Sequence, residues 1–259
     1  MRFASALIAA SVLALMGIGS AFAIDDEIQV YIDDINDRGV FGLETHINTT
    51  PSGRSTPNYP GEVTPYHSWR ITPEFSYGLG HGLEAGMYIP TVIDADGTFY
   101  AGSFKLRLKW VPVKPKEGEA GWFFGGNTEW AKLKPSYSES EYETELRIII
   151  GYHGRDWLLA MNPILSWALS PGYRGGGPDT MYGWKAGYDV VEGVMVGLEY
   201  YQGVGQLSDT LPPSQQDRTV YLVADVERGP WNFNFGIGRG VTDATDRWTV
   251  KGIIEFPLN

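Results

Sequence analysis

Cysteine is missing altogether. No disulfide framework, thiol nucleophile or cysteine-based metal site can therefore form. Histidine is scarce. His46, His67, His81 and His153 are the whole complement, which weighs against a histidine-rich metal centre. Basic residues are outnumbered, 20 Lys and Arg against 31 Asp and Glu, for a formal net charge of −11. Such a chain lacks the basic surface that nucleic acid requires, so no nucleic-acid partner is expected. Beyond residue 23 there is no apolar run of about 18 residues, which excludes a bundle of membrane-spanning helices.

The start of the chain is different. Met1-Arg2-Phe3 is a short positive stretch, Ala4 to Gly19 is apolar, and Ala21-Phe22-Ala23 is a small-x-small cleavage motif. This reads as a secretory signal peptide over residues 1–23, cut before Ile24. A retained N-terminal anchor is the weaker reading, because the apolar run is short and ends in that motif.

What is abundant is aromatic residues, at 14%, and glycine, at 33 residues, in a chain that is mildly polar overall. The arrangement shows why. In Phe104-Lys105-Leu106-Arg107-Leu108-Lys109-Trp110, apolar and cationic residues alternate without an error. A strand points successive side chains to opposite faces, so this segment has one apolar and one charged face. The period recurs in about twelve segments, near residues 39–50, 65–78, 82–91, 98–112, 121–134, 141–152, 156–169, 180–189, 193–204, 218–227, 230–240 and 246–258. Their connections alternate between short turns and longer Gly-, Pro- and Ser-bearing loops, with Val113 to Ala120 the one long connection on the short side. An even number of strands of this length predicts an all-β fold, a closed antiparallel transmembrane β-barrel with both termini periplasmic. The expected organisation is residues 1–23 signal peptide, 24–38 an acidic periplasmic segment, and 39–259 the barrel.

The nine tryptophans test which face meets lipid. Trp69, Trp110, Trp122, Trp130, Trp157, Trp167, Trp184, Trp231 and Trp248 all fall in the apolar register, most of them near a strand end. Trp157 and Trp167 are separated by a span of roughly 25 Å along the membrane normal for a tilted strand, the height of an apolar band between two aromatic girdles. The opposite register then lines the lumen. It offers Arg70, Glu74, Glu84, Lys105, Arg107, Lys109, Glu129, Glu143, Glu145, Arg147, Lys185, Glu199, Asp225, Arg247 and Lys251, with Glu44, His46, Asn48, Asn127 and Asn162 on the same face. Hairpin geometry brings Glu84 near Lys105 and Arg107, and Glu129 near Arg147. Two arrangements suit these charges: ion pairs filling a rigid plugged barrel, or a charged border around a water-filled path.

Residues 24–38 stand apart, with Asp25, Asp26, Glu27, Asp33, Asp34 and Asp37. They lack the glycine-punctuated loop of a calcium site. The expectation is a solvated periplasmic lead-in, part of which could enter the barrel.

Tyr77-Gly78-Leu79, followed by Leu83-Glu84-Ala85-Gly86 and Tyr88-Ile89-Pro90, resembles a recurring hairpin of bacterial outer-membrane proteins grouped under the meta-pathway of phenol degradation. Asp246-Arg247-Trp248-Thr249-Val250-Lys251, followed by Ile254-Glu255-Phe256-Pro257-Leu258, resembles that family's closing strand. The resemblance implies an outer-membrane channel or transporter and identifies no substrate residue. One departure is the C-terminus. Leu258-Asn259 stands where outer-membrane barrels usually end on an aromatic residue read by the assembly machinery.

The resulting expectation is a passive channel or transporter for small solutes in the bacterial outer membrane. Its partners are outer-membrane lipids, the barrel-assembly machinery and small solutes, and it is a monomer rather than an oligomer. No cofactor, metal or catalytic residue is expected. Alternatives are a plugged structural barrel without conductance, or an outer-membrane lipid hydrolase using Ser52, His46 and Asn48.

Overall fold

A computed structural model of the chain describes residues 27–101, 103–116, 118–172 and 177–258. The expected leader, its cleavage site, and Asp25 and Asp26 lie outside the described residues. Every regular element among the described residues is a β-strand. In chain order these are β1 (Phe41–Ser52), β2 (Trp69–Gly80), β3 (Leu83–Tyr88), β4 (Thr91–Ile93), β5 (Phe99–Tyr100), β6 (Phe104–Val113), β7 (Gly121–Lys132) and β8 (Tyr142–His153). They continue with β9 (Trp157–Ala168), β10 (Asp179–Val191), β11 (Val194–Gln206), β12 (Asp209–Thr210), β13 (Asp217–Arg228), β14 (Trp231–Gly240) and β15 (Trp248–Pro257).

All pairings among these strands are antiparallel, and β1 closes the sheet by pairing with both β2 and β15. The result is a closed barrel of 12 staves. β3 and β4 form one stave and β5 and β6 the next, while β12 is a short extension paired to β11. The sequence reads these two staves as unbroken at 82–91 and 98–112, but both are interrupted. Pro90 supplies no N–H to the ladder, which stops at the pair Tyr88↔Lys105 and resumes at Val92↔Tyr100.

Burial follows the two-residue period, with the sense of a soluble protein inverted. Along β6, Phe104, Leu106, Leu108 and Trp110 are exposed on the outer surface, while Arg107 and Lys109 are buried inside. Trp69, Trp110, Trp122, Trp130, Trp157, Trp231 and Trp248 are exposed outward. Trp167 and Trp184 are half-buried, Trp184 stacking between Tyr182 and Tyr200 at centroid distances of 5.5 and 5.4 Å. An exterior of Trp, Leu, Ile and Phe around a charged interior is the arrangement of a barrel solvated by lipid.

Inside, one apolar patch interrupts the charge. Phe123, Ile149, Leu158, Ala160, Tyr201, Tyr221 and Val223 form a buried cluster with Ile28, Val30 and Tyr31. These last three belong to the segment that precedes β1, so the N-terminal segment is packed into the barrel.

Candidate functional site: the plugged lumen

Residues 27–36 run through the barrel interior without regular secondary structure. The expected lead-in enters the barrel along this stretch, with Asp34 still exposed. The physical reason lies in Val30-Tyr31-Ile32, an apolar triplet set among carboxylates. Val30 is 3% and Tyr31 2% exposed. Burying such side chains is worth roughly 1.5–3 kcal/mol each.

A buried segment outside a sheet must find partners for its backbone groups. Here the barrel wall supplies them. Asn162 on β9 clamps Tyr31 from both sides. Its Oδ1 accepts from the Tyr31 N–H at 2.6 Å, and its Nδ2 donates to the Tyr31 carbonyl at 3.0 Å. Lys251 Nζ donates to the Ile28 carbonyl at 3.0 Å, and Arg147 Nη1 donates to the Gln29 carbonyl at 3.2 Å. Near the exit of the segment, the Asn36 N–H donates to Glu84 Oε2 at 2.8 Å.

Tyr31 is the centre of the plug. Its hydroxyl meets that of Tyr88 at 2.7 Å. The Arg147 guanidinium lies 4.1 Å from its ring centroid, and Lys109 and Arg107 approach at 5.0 and 5.7 Å. A desolvated cation over an aromatic face is worth about 2 kcal/mol or more. Past the plug, Gly78 lets the chain leave the lumen. A Cβ there would sit 2.0 Å from the Asp37 carbonyl oxygen.

The predicted lumen residues mostly point inward and pair. Arg107 bridges Glu74, at 2.6 Å, and Glu84. Lys105 lies 3.4 Å from Glu129 and 3.8 Å from Glu27 of the plug. Lys185 joins Asp225 at 2.8 Å and Glu199 at 3.4 Å, and Lys251 joins Glu199 at 2.5 Å. Glu129, expected beside Arg147, gives its ion pair to Lys105 instead. Arg147 pairs with Glu145 at 3.0 Å, because the register sets Arg147 opposite Asn127 and Glu145 opposite Glu129. Three residues serve the long-loop end. Arg70 donates to the Val63 carbonyl at 3.1 Å, Glu143 accepts from Ser138, and Arg247 is exposed in the loop before β15.

The plug divides the interior. A cavity of about 1210 Å³ opens at the long-loop end, lined by Arg54, Arg70, Arg239, Arg247, Tyr201 and Tyr221 among others, with Ile28 as its contribution from the plug. A second of about 910 Å³ opens at the short-turn end, lined by residues that include Gln29 to Ile32, Glu44, Glu74, Arg107 and Lys185. The two share no lining residue.

Outside the staves, two carboxylates are tuned by their loops. Asp94 is held below the usual range by N–H donation from Thr98, with the Tyr100 hydroxyl and the Asp96 N–H adding to it. Burial raises Asp246, against a hydrogen bond from the Arg54 N–H.

The hydrolase arrangement does not assemble. His46 and Ser52 are six positions apart on β1, roughly 20 Å along a strand. The His46 Nε2 faces Glu44 at 2.7 Å.

Sequence reasoning missed Tyr31, Tyr88 and the inward Phe123. The apolar triplet at 30–32 was the available signal for the first. Phe123 shares the parity of Asn127 and Glu129, which places it indoors.

No protein-family model matches the chain, and no curated protein matches it. Solved structures do share its fold. The COG4313 outer membrane channel from Pseudomonas putida F1 superposes with a TM-score of 0.62 at 11% identity, over 90% of this chain and 100% of that one. The NanC porin gives a TM-score of 0.53 at 10% identity, over 83% and 98%. The KdgM porin gives 0.51 at 8% identity, over 84% and 99%. The chain has the fold of an outer-membrane β-barrel.

Proposed function

We propose that this protein is an outer-membrane channel for small solutes whose N-terminal segment closes the lumen. The observation that carries this reading is the division of a wide, charge-lined barrel into two cavities by residues 27–36. The apolar exterior with its exposed tryptophans supports placement in a lipid bilayer, and the barrels named above as channel and porins support the same class. The long loops then face outward and the short turns the periplasm, with both chain ends on the periplasmic side. The outward face is apolar around the whole circumference, which suits a monomer bathed in lipid.

The solute class follows from the walls. Arg107, Lys109 and Lys185 are buried on the inner face, and Lys105, Arg107, Arg147, Lys185 and Lys251 are paired with carboxylates there. Such a path favours a polar or anionic small molecule. The resemblance to the phenol-degradation group adds small phenolic compounds to the solutes worth testing, with Tyr201 and Tyr221 of the outer cavity as the aromatic surface that would receive them.

The deciding experiment is planar-bilayer recording of the mature chain beside a variant lacking residues 27–38. The deletion is expected to raise conductance severalfold. Equal, vanishing conductance in both proteins would overturn the channel reading. It would leave a structural barrel held by its ion pairs, a reading that the buried Arg107–Glu74–Glu84 and Lys185–Glu199–Lys251 clusters favour.

A further inference from the structure

Most of the buried charge is paired across the wall, and one cluster beside the plug is arranged differently. Glu44 and His46 are two positions apart on β1 and so share the inner face. Glu74 on β2 stands directly opposite Glu44. One donor atom from each, the His46 Nε2 and a carboxylate oxygen from each glutamate, falls within a span of 4.8 Å. His46 is 0% and Glu74 2% exposed.

Two features make this more than a buried ion pair. The first is unmet bonding. Glu44 Oε1, His46 Nε2, His46 Nδ1 and Glu74 Oε2 are all buried, and none is in hydrogen-bond geometry. The His46 Nε2 lies 2.7 Å from Glu44 Oε1 and 3.8 Å from Glu74 Oε2, yet aligned with neither. His46 Nε2 and Glu44 Oε1 form an ion pair, but the buried Glu74 Oε2 has no hydrogen-bond partner and faces the same imidazole nitrogen, and a buried polar atom left so costs about 1–3 kcal/mol. The second is charge. Arg107 takes Glu74 Oε1 at 2.6 Å and leaves Oε2 directed at the imidazole. Glu27 of the plug is close enough for its charge to act on both His46 and Glu44. Glu44 and Glu74 thus flank one imidazole, Arg107 balancing Glu74 while Lys105 and Arg147 balance Glu27 of the plug.

We propose that Glu44, His46 and Glu74 form a binding site for a divalent transition-metal ion of the Zn²⁺ type. Metal–ligand bonds of about 2.0–2.2 Å in a tetrahedron set donor atoms roughly 3.3–3.6 Å apart, between the two separations seen at His46. One imidazole and two carboxylates are a donor set that Zn²⁺ accepts, with a fourth position for water. Glu44 and Glu74 line the smaller cavity, which supplies both the entry path and that water. The ion would tie β1 to β2 at the point where the plug passes. The site is independent of whether the barrel conducts.

The test uses the untagged mature chain, folded in detergent, stripped with EDTA and equilibrated with Zn²⁺ alone. Plasma mass spectrometry of the gel-filtered protein is expected to find one Zn²⁺ per chain. His46→Gln and Glu74→Gln should each weaken binding at least tenfold, while His81→Asn, in the β2–β3 turn, should leave it unchanged. Folding of each variant is checked by its heat-modifiable migration in SDS gels. Should His46→Gln fail to fold, Glu44→Gln and the visible spectrum of Co²⁺ bound to the wild-type chain take its place. Tetrahedral Co²⁺ bands lost on adding Zn²⁺ and weakened in Glu44→Gln support the site. No stoichiometric Zn²⁺ in the wild type, or Zn²⁺ retained equally by the variants, overturns it.

Discussion

The hold of Asn162 on the plug is the interaction best suited to a quantitative test. Asn162→Ala removes the acceptor of the Tyr31 N–H and the donor to the Tyr31 carbonyl in one change, and it touches no residue of the plug itself. Tyr31 is 2% exposed and Asn162 0%, so both backbone groups would be left without a partner in a dry environment. At about 1–2 kcal/mol for each, the plugged state loses about 2–4 kcal/mol relative to the released one. With 1.4 kcal/mol for each factor of ten, the released population rises roughly 30- to 700-fold. The absence of native cysteine makes the readout clean. A single Val30→Cys reporter, 3% exposed and packed near Gly183, should react faster with a bulky charged thiol reagent when the segment leaves the lumen. The labelling rate in the Asn162→Ala background is expected to rise by that factor, and open time in bilayer recordings to rise with it. Equal labelling rates with and without Asn162→Ala would show that the clamp does not hold the plug, and the reasoning would fail.

Three further outcomes are expected. Gly78→Val places side-chain atoms where the Asp37 carbonyl now sits, so the segment should be displaced and the exposed Arg38 should become a rapid trypsin site, detected by N-terminal sequencing. Lys105→Glu sets a third carboxylate beside Glu27 and Glu129, which should shift the reversal potential in a salt gradient toward cation preference and destabilise the plugged state. The Asp94 carboxylate has a depressed pKa in the folded loop, so its contribution is present above the ordinary Asp value and is lost as pH falls through the depressed one. Protection of the Asp96 and Thr98 amides, taken relative to the intrinsic exchange rate at each pH, should fall as pH drops below the ordinary Asp range, and Asp94→Asn should partly remove that pH dependence.

The buried charges explain why the barrel tolerates such an interior. Arg107, Lys185 and Lys251 each touch a carboxylate, so few ions stand unpaired in the low-dielectric region. Removing one partner of such a pair is far more costly than replacing both, so a single substitution there is read only beside a check that the barrel has folded. Substitutions at Asn162 and Gly78 avoid that difficulty, since neither carries charge.

The staves were legible because their information is local. Alternation in Phe104 to Trp110 names the inward and outward faces wherever the strand lies, and turn residues such as His81-Gly82 mark where each hairpin reverses. Barrel closure followed from an even number of such segments with no other edge to satisfy. The shared parity of buried residues such as Lys251 and Glu199 is local in the same way, whereas Arg247 lies exposed in a loop. The interruption at Pro90 was also written locally, in a residue without an N–H.

Pairing was not legible at that level. Whether Glu129 meets Arg147 or Lys105 depends on stagger between neighbouring strands, which a period of two cannot reveal. The plug was further from reach still. Tyr31 finds Asn162 across 131 residues of sequence and Tyr88 across 57, contacts that exist only once the barrel has closed around the segment. The same holds for His46, whose neighbour Glu44 is local but whose second carboxylate arrives from β2. The sequence by itself determined a twelve-stave barrel, apolar outside and charged inside, because alternation is a property of each strand alone. The tertiary structure alone decided that the lumen is closed, and by which residues, because closure is a meeting of distant side chains in a space that no single segment encloses.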